Sequence, residues 1–380
     1  MKIAMIGQKR VPSREGGVEI VVEKLATLMA AMGHNVTVYN RRGRNPSGEA
    51  SDGGRTGRRS EYHGIHIITV PTVNRKGLAA ISSSFFATCM AVGRHFDVIH
   101  YHAEGPSAML IFPHLLGIHT VSTIHGLDWQ RAKWGKFAAG YLKFGEKIAA
   151  KYADEVIVLS RSAQQYFLET YSRKTVFIPN GVSEPALITT ELIRRKWGLE
   201  KDGYFLYVGR IVPEKGIRCL INAFHGVHTE KRLVIAGGSS DSARYMREVQ
   251  ALAGEDHRIL FTDFVQGTLL EELFSNAYVY VLPSELEGMP ISLLEAMSYG
   301  NCCVVSEIPE CGEVVGDKAI LFRKGDEAEL AAILKRLCDH PSLTQRYKQS
   351  AADYILKKYS WMDAAEKTLQ IYDSIAGGGR

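Results

Sequence analysis

Short apolar segments alternate with amphipathic segments along most of the chain. The apolar segments are rich in Val, Ile and aromatic residues and are bounded by Gly, Pro or polar residues, which is typical of buried strands. In the segments between them, apolar residues recur at helical spacing. Continuous apolar strands that alternate with helices form parallel sheets covered on both faces. The pattern therefore predicts an α/β fold.

The alternation occurs in two series, which predict two domains. In the first series, strands are predicted at 3–6, 36–40, 65–70, 98–101, 120–124, 156–159 and 176–178, and helices over 17–32, after Gly77, after Gly105 and over 136–152. The second series has strands at 205–208, 233–236, 259–261 and 278–282, and its helices begin at Ile217, at Ser242, after Leu269 and near Pro290. We place the first domain at 1–185, a linker with a short helix at 186–200, the second domain at 201–358, and a final helix at 359–376 that crosses back to the first domain.

Composition narrows the classes of protein to which the chain can belong. With 46% hydrophobic and 23% charged residues, it has the composition of an ordinary globular protein. The net charge of +5 suits anionic substrates or an anionic membrane surface, but it is too small to predict a nucleic-acid partner. The six cysteines show no C-x-x-C spacing and are predicted to be buried free thiols in a reducing compartment.

The predicted location is the cytoplasm. Residues 1–7 form a first strand and are far too short for a signal peptide. No apolar run approaches the ~18 residues that a membrane helix needs. The longest such run, 109–121, is interrupted by Pro113, His114 and His119.

The most informative stretch, residues 284–297, follows the predicted strand at 278–282. Its apolar residues return at helical spacing after Pro290, a residue that suits the first turn of a helix. A helix start presents backbone N–H groups and a partial positive charge, which together bind phosphate well. The turn that would form this site consists of Gly288, Met289, Pro290 and Ile291.

Two carboxylates flank the predicted phosphate site. Glu287 stands in the loop just outside it, and Glu295 lies about one and a half turns inside the helix, roughly 7 Å deeper. Carboxylates at these places would repel a phosphate unless they hold groups attached to it. Because a carboxylate accepts well from two vicinal hydroxyls, sugars are the obvious candidates. The stretch is therefore interpreted as a nucleotide-sugar site.

A second cationic loop follows the first strand of the second domain. Gly209 and Arg210 come directly after that strand, and Lys215 precedes the next helix. Ligands bind at the carboxyl ends of parallel strands, so both cations are expected at the binding edge. An Arg and a Lys opposite a helix N-terminus form a clamp for a pyrophosphate.

In the first domain, His125 follows the strand at 120–124, and Asp128 lies three residues further on. Both are expected at the carboxyl edge of the sheet, where Asp128 would orient the imidazole or an acceptor hydroxyl. Gly16 and Gly17 open the first helix, where two glycines let the backbone approach a ligand. The loop before them lacks G-x-G-x-x-G, which disfavours a dinucleotide enzyme.

These motifs together resemble those of the large retaining glycosyltransferase family with the GT-B fold. Residues 287–296 resemble its E-x7-E element, residues 209–216 match its G-R-x-x-x-x-K-G loop, and residues 178–182 resemble its I-P-N-G-V-D hinge. Ser183 stands where the hinge usually has Asp. The resemblance covers nearly the whole chain and implies two Rossmann-like, doubly wound domains that face a cleft.

The resemblance also implies roles for individual residues. Glu295 would hold the ribose and Glu287 a hydroxyl of the transferred sugar, while His125 would contact the sugar or the acceptor. By the same resemblance, Gly16 and Gly17 would contact the donor phosphates or the acceptor, and Arg210 and Lys215, together with Gly209, would contact the diphosphate. Phe264 and Val265 would contact the nucleobase and ribose through their backbone. Asn180 would line the cleft.

The implied reaction is retaining sugar transfer from a nucleoside-diphosphate sugar to a glycan or lipid-linked acceptor. Charge that develops on the leaving diphosphate can be neutralised by a metal or by fixed cations. The chain has no D-x-D metal signature, whereas Arg210 and Lys215 supply fixed charge. We therefore predict no metal and no cofactor. Residues 16–19 and 125–135 further resemble bacterial transferases of surface polysaccharide synthesis, some of them rhamnosyltransferases.

Three other functions remain as alternatives. A nucleotide-sugar epimerase would use the same two-domain architecture, and a non-catalytic protein would bind the donor without releasing a nucleoside diphosphate. A nicotinamide dehydrogenase is disfavoured by the missing glycine fingerprint.

Two basic segments are compatible with a membrane. On a helix, Lys133, Lys136, Lys143, Lys147 and Lys151 form a stripe beside Trp134, Phe137, Tyr141, Phe144 and Ile148. The Lys133–Lys151 helix would suit an anionic membrane or a lipid phosphate, or its aromatics would be core and its lysines solvated. The arginine-rich run 41–59 is predicted to be a loop that is either solvated or in contact with phosphates.

Overall fold

The chain divides into two units in the computed structural model, which describes residues 1–43, 59–73, 75, 77–131, 135–239 and 243–377. The first unit comprises Met1–Gly181 and Trp361–Arg380, and the second unit comprises Val182–Ser360. Residues 44–58 of the predicted arginine-rich loop lie outside the described residues, as do Lys133 and Trp134 of the lysine stripe.

The first unit is built on an eight-stranded sheet in the order β3-β4-β2-β1-β5-β6-β7-β8. Its elements up to the second unit are β1 (Lys2–Ile6), α1 (Gly17–Ala31), β2 (Asn35–Arg41), β3 (Arg59–Tyr62), β4 (Ile65–Val70), α2 (Leu78–Val92), β5 (Val98–His102), α3 (Glu104–Ser107), α4 (Ile111–Leu115), β6 (His119–Ile124), α5 (Lys136–Tyr152), β7 (Glu155–Val158), α6 (Arg161–Tyr171) and β8 (Val176–Phe177). The central strands β1, β5 and β7 are buried at all or nearly all positions, which explains their largely apolar sequence.

The second unit contains a six-stranded, all-parallel sheet in the order β11-β10-β9-β12-β13-β14. Its elements are α7 (Leu192–Trp197), β9 (Tyr204–Val208), α8 (Ile217–His225), β10 (Arg232–Ala236), α9 (Ala243–Ala253), β11 (Ile259–Asp263), α10 (Thr268–Asn276), β12 (Val279–Leu282), α11 (Ile291–Ser298), β13 (Cys302–Ser306), α12 (Pro309–Val315), β14 (Ile320–Phe322), α13 (Glu327–Asp339) and α14 (Pro341–Lys358). The last helix, α15 (Trp361–Gly377), belongs to the first unit and packs against α1.

The prediction of two α/β domains with parallel sheets is confirmed, with local differences. The strand β3 pairs antiparallel with β4, so the first sheet is not purely parallel. Arg41 and Arg59 lie in β2 and β3 and not in a loop. The helix expected after Gly105 is replaced by two short helices, α3 and α4. All six cysteines are free, but Cys89 on α2 is exposed and Cys338 is only partly buried, contrary to the expectation of burial.

The segment 186–200, predicted to be a linker, lies within the second unit. Glu272 of α10 fixes it there, because its carboxylate accepts hydrogen bonds from the backbone N–H groups of Glu191, Leu192 and Ile193 at 2.9–3.0 Å. These bonds satisfy the otherwise unpaired amides at the start of α7 and lower the pKa of the Glu272 carboxyl against the opposing effect of its burial.

Each sheet has one point where the strand order reverses direction. In the first unit the chain moves outwards from β1 on one side and from β5 on the other; in the second unit the corresponding pair is β9 and β12. Loops that leave two such neighbouring strands diverge and open a crevice at the carboxyl edge, where ligands of doubly wound sheets bind. The predicted motifs follow these strands or their neighbours.

Candidate functional site

In the second unit, the loops after β9 and β12 touch directly. Gly216 has φ +66°, and a Cβ built on it would lie 1.9 Å from the carbonyl oxygen of Pro283, so only glycine fits. The backbone N–H of Glu285 donates to the carbonyl of Glu214 at 2.9 Å. This close approach brings the cation loop and the E-x7-E loop, which are more than sixty residues apart in the chain, to the same edge of the sheet.

Lys215 and Glu287 form an ion pair at the junction of these loops. The Nζ of Lys215 donates to Oε1 of Glu287 at 2.5 Å, and the two side chains are only 15% and 8% exposed. Arg210 lies in the same loop, and within the described part of the chain its guanidinium forms no ion pair. At this edge of the sheet, Glu287 neutralises the charge of Lys215, whereas no acidic side chain pairs with Arg210 within the described residues.

Buried tyrosines hold the two loops in place. The hydroxyl of Tyr207, at the end of β9, donates to the carbonyl of Arg210 at 3.0 Å. Tyr280 of β12 donates to the hydroxyl of Ser292, in the first turn of α11, at 2.8 Å. Burial raises the pKa of both tyrosines well above 10, so both remain hydrogen-bond donors at neutral pH.

The start of α11 lies where the sequence predicted it. Pro290 is the residue before the first helical position, one place earlier than the first-turn position expected for it, and α11 begins at Ile291. Met289 and Ile291 are buried, and Gly288 lies between them and Glu287. Glu295 is half-buried, four residues into the helix. The geometry is that of an anion-binding helix start with a carboxylate on either side.

The loops after β10 and β11 join the same edge. Gly237 passes so close to the backbone that a Cβ on it would lie 1.8 Å from the carbonyl oxygen of Gly209, and its N–H donates to the carbonyl of Asp263 at 2.9 Å. Phe264 follows with its side chain 37% exposed, whereas Val265 is buried. The predicted positions of the second unit, from Gly209 to Glu295, thus lie at one edge of its sheet, either on the loops that follow the strands or in the first turns of α11.

In the first unit, three histidines form a row across the ends of β5 and β6. Nδ1 of His102 lies 3.1 Å from Nε2 of His125, and the rings of His100 and His102 stack with centroids 4.1 Å apart. His100 also contacts the hydroxyl of Tyr372 on α15 at 2.5 Å and that of Thr123 at 2.7 Å. His102 is thus the hydrogen-bond partner of His125, and the charge of Asp128, which was predicted to orient the imidazole or an acceptor hydroxyl, also acts on this ring.

Burial keeps this row neutral. It lowers the pKa of His100 to about 3 and that of His125 to about 4, and it holds the pKa of His102 well below 6.5; neighbouring histidines lower the pKa of His100 and His102 further. At neutral pH, His125 is thus an uncharged imidazole that can donate or accept a hydrogen bond. It does not act as a fixed cation.

Asp128 begins a 3₁₀ turn, Asp128–Gln130, and pairs with Arg131 at 2.8 Å. The next residue, Trp129, donates its indole N–H to Oε2 of Glu146 on α5 at 3.1 Å. Glu146 is fully buried and also accepts from the hydroxyls of Tyr166 and Tyr171 on α6. The loop that carries His125 and Asp128 is therefore anchored to two helices through a single carboxylate.

A second buried acid, Glu104, stands beside this carboxylate. Burial is the main reason that its pKa rises to about 10, and the charges of Asp128 and Glu146 raise it further. Glu104 is therefore protonated at neutral pH, whereas Glu146 accepts three hydrogen bonds from its neighbours.

The glycine pair and Asn180 occupy different surroundings. Gly16 precedes α1, which begins at Gly17, and a Cβ on Gly16 would lie 2.7 Å from a carboxylate oxygen of Glu19. Space for Glu19 is thus one reason for a glycine there. Asn180 is buried near the end of the first unit and lines a small cavity with Thr123, Pro179 and Trp361.

No group of three or more His, Cys, Asp or Glu side chains is arranged to hold a metal ion among the described residues.

Comparisons with known proteins assign the chain to a class of enzyme. Residues 15–184 match the family model described as Glycosyltransferase Family 4, and residues 189–354 match the one described as Glycosyl transferases group 1. Sucrose-phosphate synthase from Thermosynechococcus elongatus has the same fold, with a TM-score of 0.82 at 22% identity over 98% of both chains. The chain is a GT-B glycosyltransferase. The predictions of an enzyme and of the GT-B fold are confirmed.

Other similar proteins span most of the glycosyltransferase. Alpha-maltose-1-phosphate synthase from Mycolicibacterium smegmatis is 26% identical over 73% of this chain and 79% of its own. Glycogen synthase from Mycobacterium tuberculosis is 26% identical over 100% of this chain and 96% of its own. The Anabaena protein Alr3699/HepE, whose structure contains UDP and glucose, has a TM-score of 0.78 at 18% identity over 98% of this chain and 100% of its own.

Four residues around His125 and Asp128 were not predicted as site residues from the sequence: His102, Glu104, Glu146 and Trp129. A signal for the first two was present, because residues 100–104 place two histidines and a glutamate within and after a buried strand. Such polar residues in a buried strand require partners and are candidates for function. No comparable signal marked Glu146, which looks like one more charged residue of a lysine-rich helix.

The carboxylate of Glu146 should contribute measurably to the stability of the first unit. Glu146→Gln places an amide N–H₂ opposite the indole donor of Trp129, so at least one hydrogen bond is lost. We expect the free energy of unfolding to fall by about 1–2 kcal/mol, measured by urea unfolding followed through tryptophan fluorescence. Glu169→Gln, on the exposed face of α6, is the matched control. Equal stability of the two variants would contradict the anchoring role.

Among the residues that the structure describes, no helix combines the length and hydrophobicity that a membrane crossing requires.

Proposed function

We propose that the glycosyltransferase moves a sugar from a nucleoside-diphosphate sugar to a hydroxyl of a glycan or lipid-linked acceptor, with retention at the anomeric carbon and without a metal. The observation that carries this proposal is the contact of Lys215 with Glu287 beside the start of α11, with Arg210 in the same loop. A cation that can bind phosphate and a carboxylate that can accept from sugar hydroxyls are thereby held in direct contact.

Donor binding would exchange partners within this ion pair. Each half of the pair has a counterpart on a sugar diphosphate: the phosphate oxygens replace Glu287 at the Lys215 ammonium, and a sugar hydroxyl replaces Lys215 at the Glu287 carboxylate. Neither buried charge is left without a partner after the exchange, which keeps the cost of separating the pair small. Arg210 adds the further positive charge that a diphosphate requires.

In the reaction, the bond between the anomeric carbon and the diphosphate oxygen breaks, and a bond from the acceptor oxygen to that carbon forms. The acceptor hydroxyl releases its proton to water, and the nucleoside diphosphate leaves with one additional negative charge, so charge is conserved. Lys215, Arg210 and the backbone N–H groups of Gly288, Met289 and Ile291 stabilise this charge as it develops. Pro290, which has no N–H to donate, completes the turn that presents them. Fixed cations of this kind act in place of a metal.

The nucleoside part of the donor is assigned to the same edge of the second unit. The Glu295 carboxylate accepts from the ribose hydroxyls, and the backbone at Phe264 and Val265 contacts the base and ribose. Gly209, whose N–H is already bonded to Ala236, lets the donor approach the backbone. The Anabaena protein that shares the fold was solved with UDP and glucose, so uridine nucleotides are the first donors to test.

The first unit supplies the acceptor side in this proposal. His125 contacts the transferred sugar or the acceptor as a neutral imidazole, which fits its lowered pKa. Asp128 binds an acceptor hydroxyl. Gly16 and Gly17 contribute backbone N–H groups, and Asn180 contributes its amide. The biological role proposed is the synthesis of a bacterial surface polysaccharide, with a rhamnosyl donor among the candidates.

A panel of nucleotide sugars tests the proposal directly. Donors with uridine, guanosine, adenosine and deoxythymidine diphosphates are screened first for thermal stabilisation of the protein, since a ligand that binds only the native state raises its stability. Those that bind are incubated with and without sugar acceptors, and the nucleoside diphosphate and the anomeric configuration of the product are measured. Isomerised nucleotide sugar without acceptor would indicate an epimerase, and binding without release a non-catalytic protein.

The two glutamates can be separated by ligands with and without a sugar. Glu295→Gln is expected to weaken binding of the free nucleoside diphosphate about tenfold or more, because a charge-assisted hydrogen bond to the ribose is lost. Glu287→Gln is expected not to weaken binding of the free nucleoside diphosphate, which offers no sugar hydroxyl to Glu287, and to weaken only the sugar-containing donor. Calorimetric titration measures both, with Glu271→Gln on the exposed face of α10 as a control. The reverse pattern would exchange the two roles.

A further inference from the structure

The helix α2 buries small and hydroxyl-bearing side chains and exposes large apolar ones. Its buried side contains Ser83, Ser84 and Thr88, each no more than 2% exposed, whereas Phe85 and Phe86 on its outer side are 42% and 36% exposed. A surface helix normally buries its apolar residues and exposes its polar ones. The buried hydroxyls are satisfied, since Thr88 bonds to Tyr101 at 2.9 Å and Ser84 bonds back to the carbonyl of Ala80. The arrangement therefore leaves two phenylalanines facing out from a helix whose polar groups are turned inwards.

The exposed phenylalanines continue into the neighbouring helix α4. The ring of Phe85 lies 5.6 Å from that of Phe86 and 6.4 Å from that of Phe112, measured between centroids. Phe112 is 48% exposed, and Leu115 and Leu116 at the end of α4 are 73% and 64% exposed. We call Phe85, Phe86, Phe112, Leu115 and Leu116 the apolar surface. An exposed contiguous group of this kind marks an interaction site.

Exposed lysines lie on α5, the helix next to the apolar surface. Neither α2 nor α4 contains an acidic or basic residue other than His114. The ring of His114 lies 5.3 Å from that of Tyr152, and the latter is 5.0 Å from Nζ of Lys151, so α5 adjoins the surface. On α5, Lys147 and Lys151 are exposed, whereas the single acidic residue of this helix, Glu146, is buried.

We propose that the apolar surface and the adjoining lysines of α5 dock the enzyme on an anionic lipid bilayer. Aromatic and leucine side chains enter the boundary between headgroups and acyl chains, and lysines next to them bind anionic headgroups. A protein partner would be expected to face at least some hydrogen-bonding groups, whereas the exposed part of α2 offers almost none. Of the aromatic stripe predicted on α5, Tyr141 and Ile148 pack inwards, whereas Phe137 and Phe144 are exposed, so the proposed contact extends from α5 to α2 and α4.

Vesicle flotation of the full chain tests the proposal. The protein is expected to float with vesicles of phosphatidylcholine containing about 30% phosphatidylglycerol and to bind vesicles of pure phosphatidylcholine at least about tenfold more weakly. Phe85→Ser/Phe112→Ser should reduce the partition coefficient more than about tenfold, and Lys147→Glu/Lys151→Glu should reduce it about fivefold or more for each lysine. Because all four side chains are exposed or partly exposed, these variants should fold normally, which thermal unfolding checks.

Matched variants use exposed residues of the second unit. Leu187→Ser/Leu192→Ser and Lys324→Glu/Lys335→Glu remove the same kinds of side chain and should float like the unchanged protein. The absence of flotation, or flotation that these controls reduce as much as the test variants do, would overturn the proposal. So would sedimentation that shows a dimer dissociated by Phe85→Ser/Phe112→Ser without any vesicle binding, since the surface would then join two copies of the chain.

Discussion

Replacement of Lys215 by alanine is expected to lower kcat/KM for sugar transfer by about 10²–10³-fold. The side chain is 15% exposed and paired with Glu287, so its charge acts in a largely water-excluded place where a fixed cation stabilises a developing anion strongly. The loss should be mainly in kcat, because the charge on the leaving diphosphate is greatest in the transition state. The measurement is steady-state release of nucleoside diphosphate with the donor identified in the panel.

Two further variants test whether the loss of kcat/KM is specific to the charge of Lys215. Lys324→Ala, an exposed lysine of the second unit, should retain full kcat/KM. In the double variant Lys215→Ala/Glu287→Gln the losses should not add, because removal of Lys215 alone leaves the Glu287 carboxylate without its partner. Undiminished turnover of Lys215→Ala would refute the proposed diphosphate clamp, even if the chain transferred sugars by other means.

The second large effect concerns stability. Glu104→Gln is expected to raise the free energy of unfolding by about 3 kcal/mol at pH 7. Glu104 is fully buried with a pKa raised to about 10, so folding at pH 7 requires a carboxyl that is ionised in the unfolded chain to take up a proton. Glutamine has nearly the same shape and needs no proton.

The direction of the pKa shift of Glu104 determines how this difference in the free energy of unfolding changes with pH. A folded-state pKa above the unfolded value means that the contribution of Glu104 is fully present below about pH 4.5 and is lost progressively as pH rises towards 10. The advantage of the variant should therefore vanish near pH 4.5 and grow by about 1.4 kcal/mol per pH unit above it. The lowered pKa values of the nearby histidines destabilise the fold in acid, but they do so in both proteins. The difference in the free energy of unfolding between the two proteins therefore reports on Glu104 alone.

Urea unfolding at several pH values measures this difference, with Glu169→Gln as the control that should show none. A stability difference between Glu104→Gln and the unchanged protein that is the same at every pH would rule out a protonated Glu104. A stabilised variant with reduced transfer activity would further indicate that the acid is kept for its effect on the loop of His125 and Asp128 at a cost in stability.

The strands of both sheets and most of the helices around them could be predicted from the sequence because their burial is uniform. A strand such as β12, buried along its whole length, must be apolar along its whole length, and this leaves a local signal. The polar strand β3 left no such signal, since it pairs at the edge of the sheet with β4 alone. The segment 186–200 was predicted to be a linker because its capping acid, Glu272, lies about eighty residues away.

The candidate site, like the fold, could be predicted from the sequence only in part. Loops that follow buried strands were identified from the strands themselves, so Arg210, Lys215 and Glu287 were assigned to one edge before any coordinates. Their contact, and the passage of Gly216 against Pro283 that permits it, depend on β9 and β12 being neighbours in the sheet. The orientation of His125 depends equally on the pairing of β5 with β6.

By itself, the sequence determined the alternation of strands and helices, the two series, and the loops on which charged residues stand, because each of these is decided by neighbouring residues. Only the tertiary structure decided which charges meet, which acid is buried and protonated, and which face of α2 is turned outwards. Hydrogen bonds and burial join residues that are distant in the chain, and the free energy of a charge depends on the groups that surround it in space.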